Sequence, residues 1–357
     1  MILFYFLLFL LVVARLKYSR QGFYADYLSF DTTNAIKGIF ISLVFIKHAA
    51  PYILNAGYVF DDSFWSRAFL YFDLRVGQWI VAMFLFYSGY GIMESIKKKG
   101  TLYIDSMPRK RILTTLVNFD IAVALFAVIA LLFHKDYSLK EYLLSFTGWK
   151  SVGNSNWYIF VIMLCYLIAY LCFRMKIGVA YIHTYIHTYI HTYAAKAILC
   201  FSLLVISVLA LSCVKPVWWY DTMLCFGVGI LYSVSCNRIE VFFKRYYWFI
   251  LPVLIILLFL LNKSPYYLRG LVHNTYNIVF CLLIVMLTMK IKINNMVLIW
   301  AGKNLFPLYI YQRVPMIILS SVCGGAFVSS YPVLYTFACL LITLLFAHFY
   351  KYWAIKL

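Results

Sequence analysis

Between positions 37 and 48 the chain reads KGIFISLVFIKH, a run fit for hydrocarbon except for two lysines and a histidine. Such groups cost several kcal/mol within a membrane, so their presence there points to use. Eleven residues carry an α-helix through about 1100°, three turns plus 20°. Lys37 and His48 therefore share a face with Ile41 and Val44, about 16 Å apart along the axis. A histidine enclosed in hydrocarbon beside Lys47 is held as neutral imidazole, the form that takes a proton from a hydroxyl. The plainer alternative is a hydrogen-bonded packing histidine and a lysine that snorkels to the surface. A further intramembrane cation, Arg313, follows Tyr311 and Gln312 between Pro307 and Pro315 in FPLYIYQRVP. An arginine at that depth is rarely only structural. Other polar interruptions are Ser88 in FYSGYG, Asn156 and Trp157 in NSNWY, and the basic cluster Arg109, Lys110 and Arg111. Glu94 has a simple partner in Lys97 or Lys98 one turn on.

These residues need membrane-spanning helices to position them. Of the 357 residues, 65% are hydrophobic and only 12% charged, too little polar surface to clothe a soluble globule. The expected fold is all-α, a polytopic transmembrane bundle. Apolar runs place ten core spans at about 35–54, 76–95, 112–133, 155–174, 195–213, 217–236, 246–261, 269–290, 304–323 and 331–352. Ahead of them MILFYFLLFLLVVA, followed by Arg15, Lys17 and Arg20, reads as a short extra span with its N-terminus outside rather than a cleaved signal. Residues 1–34 thus form a short span and cytoplasmic linker, and 35–357 the membrane domain. Pro51 frees the carbonyl of Lys47 and favours a kink or helix end there.

Sorting lysines and arginines by alternate loops puts 19 of the 31 on one side and 8 on the other, with four in or at the edges of spans. The richer side is cytoplasmic, which accounts for most of the net charge of +19 without a nucleic-acid partner. The nine cysteines show no ligand spacing, so neither a disulfide framework nor zinc is expected. One low-complexity stretch, YIHTYIHTYIHTY at 181–193, sets His183, His187 and His191 on one helical stripe drifting about 40° per copy. It is read as a duplicated tetrapeptide at the interface or extending the next span. The rival reading, a metal stripe, lacks a nearby carboxylate or cysteine.

In order and topology these stretches resemble the acyltransferase-3 family of membrane acyltransferases. KGIFISLVFIKH is similar to the family's first-helix signature, a basic residue and Gly followed eleven positions on by His. FLFYSGYG resembles the FFxLSGxx pattern of the second helix, and PRKRILTTLVNF the basic opening of the third. NSNWYIF and LFPLYIYQ resemble later segments, so the likeness extends over about residues 34–352. The chain departs from the pattern with Lys37 for the usual Arg, Asn34 for Asp, Thr114 at the second arginine of RxxR, and Gln312 where many members have His. These departures resemble a polysaccharide-modifying branch. The chain ends soon after its last span, without the SGNH-type domain that some relatives append.

The resemblance implies transfer of an acyl group, most often acetyl, from cytoplasmic acetyl-CoA or another acyl-CoA to a hydroxyl of a surface glycan or lipid-linked sugar. It places the enzyme in the lipid bilayer of a bacterial inner membrane, with no metal cofactor. His48 is then the base, with Lys37 extending the electropositive path inward and Arg313 either stabilising the tetrahedral oxyanion or holding a phosphate. Arg109, Lys110, Arg111 and Ser88 would meet the donor. Asn156, Trp157, Tyr311 and Gln312 would meet the acceptor. A transporter or flippase for lipid-linked sugars would line its path with the same charges, although no inverted repeat is evident.

Overall fold

A computed structural model describes residues 1–175, 185–262 and 269–357, without the side chains of 74–76, 185–192 and 269. In chain order the helices are α1 (Ile2–Val13), α2 (Phe30–Asn55), α3 (Phe64–Lys99), α4 (Thr101–Met107), α5 (Thr114–Leu132), α6 (Leu139–Ser145), α7 (Trp157–Arg174) and α8 (Tyr185–Ser212). They continue as α9 (Leu224–Val234), α10 (Cys236–Arg245), α11 (Tyr247–Asn262), α12 (Arg269–Lys290), α13 (Met296–Lys303), α14 (Leu305–Tyr311), α15 (Arg313–Ser330) and α16 (Pro332–Phe349). Two three-residue strands, β1 (Leu16–Tyr18) and β2 (Ile291–Ile293), pair antiparallel with Leu16 opposite Ile293.

Among the described residues nine helical segments are long and apolar enough to cross a bilayer, and a tenth arises if α10 and α11, bent by 97°, count as one span. The protein is therefore a multi-pass integral membrane protein built as an all-α bundle. Three expectations are corrected. The outer segment 55–75 is not all loop, because α3 begins at Phe64; Asp73 dilutes its hydropathy, yet Lys47 neutralises that charge across the helix pair at 2.7 Å. The third span does not begin at 112 but continues from Thr101 through a π-helical turn, Pro108–Leu113. Pro108 has no N–H for the carbonyl one turn back and its ring crowds that carbonyl, so the ladder re-registers. Finally, of the kink or helix end expected at Pro51 the helix end does not occur: α2 runs through it to Asn55, in keeping with a first span drawn to 54. The expected histidine stripe of the YIHT repeat lies outside the described residues; only the start of α8 at Tyr185 places the repeat's later part in helix.

Two glycine-lined seams bring helix backbones together. A Cβ built on Gly38 would stand 1.9 Å from the carbonyl oxygen of Leu298, and one on Gly302 1.9 Å from that of Asn34. Hence α13 runs antiparallel against the first turns of α2. A second seam joins α3 to α9, where a Cβ on Gly89 would meet Phe226 O at 2.0 Å and one on Gly229 would meet Phe86 O at 2.1 Å. Within a membrane the hydrophobic effect does not hold helices together, so such close packing of small residues does. These seams fix α2 and α3, the carriers of Lys37, His48 and Ser88.

At the expected cytoplasmic end Glu94 pairs with Lys97 at 2.6 Å, as its spacing suggested, and accepts from the Ser233 hydroxyl at 2.7 Å. Residues 1–34 are tied to distant chain: besides the strand pairing, Asn295 Nδ2 donates to Leu11 O at 2.7 Å. On the opposite side Lys215 lies between the rings of Trp149 (3.6 Å) and Trp219 (3.8 Å) and donates to Trp149 O. That clasp pins the loop leading into α7.

Sidedness gives a direct test. In a background without native cysteines, a hydrophilic thiol reagent applied to the outside should label a cysteine at Asp62 and leave one at Lys98 unlabelled, since both side chains are exposed, Asp62 just ahead of α3 and Lys98 at its far end. Labelling of position 98 from outside would invert the topology.

Candidate functional site

Lys37, about two helical turns into α2, opens onto a cavity of about 560 Å³ that also takes in Tyr87, Ser88, Tyr90, Glu94, Arg111 and Tyr166. A second cavity, about 420 Å³, shares Ser88, Arg111, Tyr166 and Leu305 with the first and reaches Thr114, Asn118, Tyr158, Lys303 and Tyr309. Arg111 is thus placed at the junction, carried there by the π turn, with its Nε donating to the Tyr103 hydroxyl at 3.1 Å. The Ser88 hydroxyl interacts with those of Tyr158 and Tyr166. Cations and hydroxyls around an open volume suit an anionic ligand.

Above this chamber Tyr309 forms a partition. Its ring packs against His48 at 6.3 Å between centroids and against Tyr158 at 5.2 Å. Around it are five buried polar groups: the Ser155 and Tyr309 hydroxyls interact with each other, while His48 Nδ1, Gln312 Oε1 and Arg313 Nε have no hydrogen-bond partner among the described residues. Buried polar atoms are ordinarily satisfied, and in a membrane interior an unsatisfied one is costly. A cluster of five, offering imidazole, hydroxyl, amide and guanidinium, is suited to a hydroxyl-bearing ligand or ordered water. Arg313, whose guanidinium lies 5.9 Å from the Tyr52 ring, is the stronger electrostatic neighbour of His48. Lys47, the cation expected beside His48, also acts on it but more weakly, and its ammonium is tied to Asp73, donating to both its carboxylate and its carbonyl at 2.7 Å.

The expected residues therefore divide. Lys37, Ser88 and Arg111 meet at the inner chamber, and His48, Gln312 and Arg313 at the outer cluster. Lys110 lines a surface recess of about 620 Å³ with Lys98, Lys99, Tyr103 and Arg111, whereas Arg109 is exposed and lines none of these three volumes. Residues two apart on a helix do not face each other, which separates Arg109 from Arg111. The same rule separates Tyr311 from Tyr309. Tyr311 stacks on Phe346 of α16 at 5.5 Å and 14° and accepts from Trp353 Nε1 at 3.4 Å, away from His48. Asn156 spends its amide nitrogen on loop carbonyls, Gly148 O at 2.7 Å and Lys150 O at 3.0 Å, and so shapes the loop before α7. Trp157 opens α7 with its ring 6.3 Å from that of Tyr158. Four members escaped the sequence reading: Ser155, Tyr158, Tyr166 and Tyr309. Ser155, Tyr158 and Tyr309 lie within quoted stretches, but one tyrosine among 32 carries no signal of its own.

Among the described residues no three His, Cys, Asp or Glu side chains are placed to hold a metal ion. Comparison with protein-family models, curated proteins and solved structures finds no match to this chain.

Proposed function

We propose that the protein is a membrane O-acyltransferase, moving an acyl group, acetyl in the first instance, from a cytoplasmic acyl-CoA to a hydroxyl of a surface glycan or lipid-linked sugar. The observation that carries this reading is the pairing of a cationic chamber with the buried polar cluster around His48, the two meeting at Tyr309. The phosphates of the donor would sit by Arg111, its pantetheine arm would reach past Ser88 toward the Tyr158–Tyr309 pair, and the acceptor hydroxyl would lie by His48. His48 then takes the hydroxyl proton as the oxygen attacks the thioester carbonyl. The tetrahedral oxyanion that forms is stabilised by Arg313, and its collapse expels the thiolate of CoA, which takes up a proton. Lys37 extends the positive field along the donor's path. The setting proposed is the inner membrane of a bacterium.

Purified protein in proteoliposomes, given acyl-labelled acetyl-CoA and a glycan acceptor, should place label in an ester released by mild base. Label-free acceptor together with movement of the lipid-linked sugar across the bilayer would favour a transporter. Arg111→Gln should raise the KM for acyl-CoA roughly tenfold with little change in kcat, because a phosphate remote from the reacting carbonyl is held alike in ground and transition states. A loss confined to acceptor affinity would remove Arg111 from the donor site.

A further inference from the structure

One wall of the 420 Å³ chamber comes from the segment after α16. Tyr350, Lys351, Ala354 and Lys356 all line it. The segment is fastened at two points. Asn118, buried within the apolar helix α5, donates from Nδ2 to Ile355 O at 2.8 Å and accepts at Oδ1 from Ile355 N at 3.0 Å, holding both backbone groups of one residue. Trp353 Nε1 donates to the Tyr311 hydroxyl at 3.4 Å. A buried amide in a membrane helix costs free energy unless its bonds are made, and here one fixes a stretch whose lysines border the chamber.

The charge around the chamber is one-sided. Arg111, Lys303, Lys351 and Lys356 line it, and among the described residues no Asp or Glu does. Lys303 is 3.3 Å from Asp31, but among the described residues Arg111, Lys351 and Lys356 form no ion pair. Threonine hydroxyls at 114 and 115 add donors beside them. Three uncompensated cations on one recess favour a ligand carrying several negative charges in a small space.

We propose that residues 350–356 form an anion strap, in which Lys351 and Lys356, held in register by Asn118, bind the phosphate groups of a polyphosphorylated ligand together with Arg111. Its identification with the nucleotide end of the acyl donor rests on the function proposed above; the phosphate chemistry does not. Lipid phosphate at the membrane surface has the same chemistry, and the experiment separates the two sources.

Protein in nanodiscs of uncharged phosphatidylcholine is titrated with adenosine 3′,5′-bisphosphate and with pantetheine, which lacks phosphate. The Lys351→Gln/Lys356→Gln double variant, whose two side chains are exposed, should bind the bisphosphate about tenfold or more weakly. Pantetheine binding should be unchanged, and Lys17→Gln, an exposed charge on the same side, should match the parent. Asn118→Leu should show the same selective loss at an unchanged Tm. If it unfolds, the double variant alone decides. A second series in phosphatidylglycerol nanodiscs, without nucleotide, reads the lipid source. Stabilisation by that lipid, lost in the double variant and with no bisphosphate binding in phosphatidylcholine, would assign the strap to headgroups and overturn the soluble ligand. Equal binding of the bisphosphate by parent and double variant would overturn the strap itself. Bisphosphate binding that depends on the strap, in a protein that transfers no acyl group, would keep the strap and sink the acyltransferase reading.

Discussion

Replacing His48 with alanine is expected to lower acyl transfer by about two orders of magnitude or more while leaving the protein at its normal level in the membrane. The size is the low end of what a general base supplies. The selectivity comes from the geometry. His48 Nδ1 makes no hydrogen bond, so its removal leaves no partner stranded through that atom. The ring is half-buried and packs against Tyr309, whose own position is set by the backbone of α14 rather than by the imidazole. Removing it therefore disturbs packing modestly and chemistry greatly. Initial rates with labelled acyl-CoA, normalised to protein extracted from membranes, make the measurement. A variant turning over near the parent rate would take His48 out of the mechanism and leave the outer cluster as a binding pocket only.

The largest effect on folding is expected at Gly38. A leucine there must displace the Leu298 carbonyl by more than an ångström, since its Cβ alone would lie 1.9 Å from that oxygen and 2.6 Å from the carbonyl carbon. Both are backbone atoms, so no side chain can swing aside. The two helices would have to part along the whole seam, including the reciprocal contact of Gly302 with Asn34. Overpacking ordinarily costs about 1–3 kcal/mol, and backbone against backbone lies at or above the upper end. Against a typical stability of about 5–15 kcal/mol, that loss combined with the opened seam should leave little Gly38→Leu protein surviving detergent extraction. Gly91→Ala is the control, because a Cβ there meets nothing within 4 Å. Monodisperse, fully extractable Gly38→Leu protein would show that the seam yields without cost.

Much of the bundle was legible because hydropathy reports burial in lipid directly, and the expected centres of the core spans fall on helices. What escaped was set by pairing between distant residues. The strands β1 and β2 are three residues each and lie 271 residues apart between Ser19 and Lys290, the flanking contact, so no local pattern announces them. The first part of α3 was hidden by charges whose compensation needed a partner on α2. The glycines of KGIF and YSGY were visible as small residues, yet which backbone each would meet was not. At the site, His48, Lys37 and Arg313 stood out because charge in hydrocarbon is rare. Ser155, Tyr158 and Tyr309 did not, because uncharged hydroxyls are common at membrane depth and only their contacts, Tyr309 with Ser155, Tyr158 and His48, distinguish them.

The α2–α13 seam also sets a timetable for the newborn chain. Gly38 leaves the ribosome long before Leu298 and Gly302, and at about 5–20 residues per second the interval is roughly 13–50 s. Through that time the first long helix resides in the bilayer without the short helix that will cover its inner turns, and without the Tyr309 ring that will shield His48. Mutations that slow synthesis of the last sixty residues should then raise degradation of chains whose own sequence is unaltered before position 298.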